Sequence, residues 1–128
     1  MQNIFEKTIA MNTAKEAFLK NEFIPLMRKL GPSAQPRWGV MNAQQMVGHF
    51  SEAVRMANGR LVLPIHTKDE DLPKMRAFML NERPFRENTK NPILGETPHP
   101  EKQPAIDAAI DELENEMNYF FEIFFHQL

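Results

Sequence analysis

Apolar residues recur at three- and four-residue steps in three long stretches of this chain, and that spacing predicts helices rather than strands. The clearest is the last, where Ile106, Ile110, Leu113, Met117, Phe120 and Phe124 alternate four- and three-residue steps, the pattern of a bundle seam. The second lies between Asn42 and Gly59. Asn42 is a good N-cap, with Gln45 three residues on as its capping-box partner, and Gly59 supplies the stop. Within it, Ala43, Met46, Val47, Phe50, Ala53, Val54 and Ala57 make one continuous apolar face. A first helix is expected over Thr13–Leu30, capped by Asn12 or Thr13 and kinked or divided by Pro25. Ala17, Phe18, Ile24, Met27 and Leu30 are its inward candidates.

The connections are marked by proline and glycine. GPSAQPRWG links the first two helices and delivers Trp38 to one end of the core, which the indole is expected to close. RLVLPIHTKDEDLP, interrupted by Pro64 and Pro73, reads as loop. Pro73 then suits the first position of a short third helix, KMRAFMLNE, with Met75, Phe78 and Met79 on one apolar side. A proline-rich crossover runs from Arg83 to Pro104; such a length is usually functional or wrapped across the bundle. At the end of the last helix Tyr119, Phe120, Phe121, Ile123, Phe124, Phe125 and Leu128 point over more than half the circumference. One partner face cannot cover them all, so another element or a second chain is expected there, and a closed homodimer is the simplest assembly.

Composition narrows the possibilities. A length of 128 residues fits one domain with a single core, so residues 1–128 are read as one unit. The absence of cysteine excludes disulfides and thiolate ligands. No secretory apolar core or membrane-length run is present, and the chain is read as cytoplasmic without a membrane role. A net charge of −2 argues against a nucleic-acid partner. Residues 1–40 carry six Lys/Arg against three Glu, whereas residues 101–128 carry seven Asp/Glu against one Lys. The asymmetry suggests that the first and last helices are neighbours with complementary outer faces.

Candidate chemistry is sparse. His49 lies on the flank of the second apolar stripe, a position that suits a metal-binding imidazole and equally a hydrogen-bonded structural one. Glu52, one turn on, is placed to orient it. Glu122 and His126 have helical ligand spacing but fall opposite the seam. Glu96 and His99 are separated from any helical turn by Pro98 and Pro100. His66 and His99 are loop histidines, and Asp107, Asp111 and Glu114 form an acidic, solvated stripe. Ser51 lacks the context of a nucleophile, and no phosphate-binding glycine loop is present.

Trp38, Gly39, Met41, Asn42, Gln45, Met46 and His49 spell W-G-x-M-N-x-x-Q-M-x-x-H, which resembles the second-helix signature of an uncharacterised branch of the DinB-like (DinB/YfiT) superfamily. RPFRENTKNP, with Pro84, Phe85 and Asn88, is similar to that branch's crossover. The resemblance implies an all-α, up-down four-helix bundle with a ligand pocket and a divalent metal, commonly zinc or nickel, held by three histidines. It also implies metal-dependent transfer of small molecules to thiols, or hydrolysis. Only His49 carries over as a ligand. The family's other two belong to a terminal helix that has no counterpart before Leu128, so a C-terminal truncation, a degenerate member or a swapped assembly is expected. The competing expectation is a non-catalytic helical module for oligomerisation or partner binding.

Overall fold

The computed structural model describes the backbone of residues 4–84, 86 and 98–125 and the side chains of residues 13–84, 86 and 98–124. Those residues form helices and no strands, so the fold is all-α. None of the helices is long and apolar enough to cross a membrane.

The first helical stretch is divided into α1 (Ile4–Asn21) and α2 (Phe23–Arg28). The break at Glu22 follows from Pro25, whose missing N–H leaves the Asn21 carbonyl without its donor four residues on. Hydrogen bonds from Glu22 N–H to Phe18 O (2.9 Å) and from Leu26 N–H to Glu22 O (3.0 Å) keep the two pieces nearly continuous. The helix begins nine residues before the expected Thr13. No proline or glycine interrupts residues 4–12, and Asn12 and Thr13 cost only tenths of a kcal/mol, about 0.7 at most, inside a helix. Leu19, Phe23, Ile24, Met27 and Leu30 pack on the core, whereas Ala17 and Phe18 of the expected inward set are exposed. Phe18 sits about 100° around the helix from Leu19 and instead meets Phe23 at its side, 6.2 Å between ring centres.

The next helix, α3 (Ala43–Ala57), begins where its cap predicts. Asn42 Oδ1 accepts from Gln45 N–H at 2.8 Å, and Asn42 N–H donates to Gln45 Oε1 at 3.0 Å. Gly59, at φ +84°, takes the left-handed turn that a side chain would strain. Ala43, Val47 and Ser51 are the buried positions of α3, while Phe50 and Ala57 are exposed. The buried stripe is thus rotated away from the centre of the apolar face that the sequence suggests. Trp38 does not close the core either, since half of its surface is exposed.

Residues 60–68 are loop, as expected, and lead through a single 3-10 turn at Asp69–Asp71 into α4 (Leu72–Leu80). Pro73 occupies the second helical position rather than the first, and Asn81, extended at ψ 166°, ends the helix two residues before the expected Glu82. Met75, Phe78 and Met79 lie 45%, 47% and 60% exposed, so this apolar side is not part of the core.

The last helix, α5 (Ile106–Phe125), carries most of the core: Ile106, Ala109, Ile110, Leu113 and Met117 are buried against Ala43 and Val47 of α3. Fully burying each large aliphatic side chain stabilises the fold by about 1.5–3 kcal/mol. Cross-links fix the direction of packing. Asn42 and Gln44 bond to Glu101 and Gln103 just ahead of α5, and Asn58 bonds to Glu116 within it, so α3 and α5 run parallel. Arg28 reaches Asp111 (2.6 Å) and Glu114 (3.2 Å), while Lys20 lies over the Phe121 ring, so α1 and α2 run antiparallel to α5. These are the complementary outer faces that the charge asymmetry suggests, and they give Asp111 and Glu114 partners, whereas Asp107 is exposed.

Candidate functional site

The chemistry-bearing residues of α3 meet the end of the crossover. His49 is half-buried, its ring 6.4 Å from Phe50, which meets Phe23 edge-on at 5.6 Å. Its Nδ1 is buried and has no hydrogen-bond partner among the described residues. Such an atom in a native structure calls for a reason, because a desolvated ring nitrogen left unpaired costs free energy.

Glu52 does not orient His49. Its carboxylate turns to the crossover, where Oε1 meets His99 Nδ1 at 3.0 Å and Lys102 Nζ at 3.5 Å. Burial pushes the Glu52 carboxyl up, but the hydrogen bond and charge of His99, with Lys102 behind it, outweigh burial and hold it below its ordinary value of 4.5. His99, expected as a solvated loop residue, is 47% exposed at its side chain yet anchored to a helix.

A second polar group joins the far end of α3 to α5. Asn58 and Glu116 are 6% and 8% exposed. The Asn58 amide donates to Glu116 Oε2 (2.8 Å) and to the Glu116 carbonyl (3.2 Å), and its Oδ1 accepts from Arg60 N–H (3.0 Å). The Arg60 guanidinium donates to Glu116 Oε1 at 3.0 Å and lies 3.7 Å over the Tyr119 ring. Sequence reasoning passed over this clamp. Its one signal is a glutamate one turn from Leu113, at the edge of the buried stripe rather than on the wet face. The clamp fixes α3 on α5, and every member is used in doing so, which marks it as architecture.

Ser51 is 2% exposed and its Oγ has no partner among the described residues. His66 and Glu122 are exposed; Glu96 and His126 lie outside the described residues. Among the described residues no three histidine, aspartate or glutamate side chains converge in a way that could hold a metal ion. Among the described residues, then, His49 is not joined by the further ligands that a zinc or nickel centre requires. A hollow of about 600 Å³ forms an open cleft between α1–α2 and α5, floored by Leu19, Ile24, Met117 and Phe121 and flanked by Arg28 and Glu114. His49 is not among the residues lining it.

Past Glu116 the register with α3 ends, because α3 spans about 22 Å and α5 about 30 Å. The last turns of α5 carry an aromatic row: Phe120 meets Phe121 at 5.3 Å and Phe124 at 4.8 Å between ring centres. Phe121 packs on the core, Phe120 is half-buried and Phe124 is 48% exposed. The side chains of Phe125 and Leu128 lie outside the described residues. No family model, curated protein or solved structure matches this chain.

Proposed function

We propose that this chain is a DinB-like up-down four-helix bundle that works in the cytoplasm as a non-catalytic association module, a homodimer joined through the last turns of α5. The observation that carries this reading is the aromatic row of Phe120, Phe121 and Phe124, built on the part of α5 that outruns α3. A second copy packed about a two-fold axis covers the same patch on both chains and leaves none free to polymerise. Removing a few hundred Å² of apolar surface from water, at about 25 cal/mol per Å², is a substantial drive to associate. The parallel direction of α3 and α5, with α1–α2 opposed, supports up-down order for these helices, since that order makes the second and fourth parallel; α4 is exposed along its length.

Light scattering at high micromolar concentration tests the dimer. Phe124→Glu is expected to give monomer or insoluble material, and Glu122→Lys, on the opposite face, to leave the dimer intact. A monodisperse wild-type monomer rejects the reading.

The buried His49 Nδ1, without a partner among the described residues, favours a second reading, a metal-dependent small-molecule thiol transferase or hydrolase in which His49 contributes one imidazole to zinc or nickel. Its other ligands then come from a second copy or from outside the described residues. Elemental analysis decides between the two: one metal per chain in wild type that disappears in His49→Ala supports the enzyme, and no bound metal supports the module.

A further inference from the structure

Residues 98–105 reach α5 as an irregular segment in which no side chain is buried, yet they are bonded to α3 at its first turn and again at its third. The two amides of the α3 capping box each serve twice. Asn42 uses Oδ1 for the cap and its NH2 group to donate to Glu101 Oε1 at 2.7 Å. Gln45 uses Oε1 for the cap and its NH2 group to donate to the His99 carbonyl at 3.4 Å. Gln44 donates to the Gln103 carbonyl at 2.6 Å, and Gln103 donates to Glu112 of α5 at 2.8 Å. Among the described residues, the carboxylate of α3 that anchors the segment is Glu52, which holds both the His99 ring and the Lys102 ammonium.

We propose that residues 98–105 are a proton-operated strap, closed over the side of α3 by the Glu52 carboxylate and released when that carboxylate is protonated. The segment is held by polar contacts at half-exposed groups and by no buried apolar side chain, which places it at the low end of local stability. Exposed contacts of this kind are individually weak, so losing the one that joins both His99 and Lys102 shifts the closed population. The charged and titratable groups around Glu52 are His99 and Lys102 from the strap and His49 and Arg55 one turn away on α3. Glu101 lies at the capping-box end of the strap, and Glu112 of α5 meets its far end through Gln103. The contacts from His99 and Lys102 favour the ionised form of Glu52, so protonation of the carboxyl weakens both together. Release frees the Glu52 side of α3, one turn from His49, and the capping-box amides.

The chain has no cysteine, so two spin labels can be placed cleanly at Ala57→Cys on α3 and Pro100→Cys on the strap, both exposed positions. At neutral pH the labelled wild type is expected to show one narrow distance distribution. It should broaden in acid below the ordinary carboxylate range while circular dichroism still reports intact helices. Glu52→Gln, which mimics the protonated carboxyl, should be broad already at neutral pH. Asn42→Asp keeps the cap but sets a carboxylate against Glu101, and it too should broaden the distribution without loss of helix. A distribution as narrow in Glu52→Gln as in wild type at neutral pH overturns the proposal. So does broadening of both proteins at the same acid pH, which would trace the release to groups other than Glu52.

Discussion

Truncating Glu116 is the most revealing perturbation of the fold, because a carboxylate 8% exposed in the middle of α5 is held there by two partners of different strength. The bond from the buried Asn58 amide is a neutral donor on a charged acceptor, worth about 1.5–3 kcal/mol net. The Arg60 contact has a guanidinium side chain 44% exposed, and solvent reduces it to about 1 kcal/mol or less. Glu116→Ala loses both and leaves the Asn58 amide only the backbone carbonyl of residue 116, so unfolding stability should fall by about 2–4 kcal/mol. Glu116→Gln keeps an acceptor without the charge and should lose about half as much. Urea denaturation followed by far-UV circular dichroism measures this as a midpoint lower by about 1–2 M for Glu116→Ala. A cycle with Asn58→Ala isolates the clamp, and the double variant should be more stable than additivity predicts by about 1–2 kcal/mol. A midpoint within about 0.3 M of wild type, or strict additivity, refutes the view that this pair fixes α3 on α5.

Asn42→Ala should cost about 1–2 kcal/mol, since it removes the cap of α3 and the Glu101 contact together, and an unchanged urea midpoint counts against both. Ser51→Ala should be neutral or stabilising by up to about 1 kcal/mol, because it deletes a buried hydroxyl with no partner among the described residues; a clear loss of stability would reveal a bond that the geometry does not show. The Glu52 carboxyl is held below its ordinary value in the folded chain, so its contribution is present at neutral pH and is lost as pH falls through the folded value. Glu52→Gln should therefore be less stable than wild type at neutral pH and converge with it in acid, measured as urea midpoints across that range. Phe120→Ala should cost about 1–3 kcal/mol, less than a fully buried phenylalanine, because Phe120 is only half-buried.

Local order was legible in the sequence wherever one residue type answers one backbone need. Asn42, Gln45 and Gly59 mark the ends of α3 because orphan amides and a left-handed turn admit few side chains. The three- and four-residue steps of Ile106, Ile110, Leu113 and Met117 likewise announce a buried helix face before any partner is known. Pro25 marked the break, though not the true start of α1, since nothing stops a helix from running through Asn12 and Thr13. What the sequence left open is which faces meet. Ser51 and Glu116 entered the interior, and Phe124 stayed at its edge, against their own hydropathy. The parallel register of α3 and α5 decides this: it sets Asn58 opposite Glu116 and ends two turns before α5 does. His49 followed the same rule. Its position was readable, but its neighbours were chosen by the crossover, which brings His99 to Glu52 from 47 residues away. Helix periodicity is a property of neighbouring residues, whereas a site or a helix interface joins residues distant in sequence, and only the folded chain determines which of them are brought together.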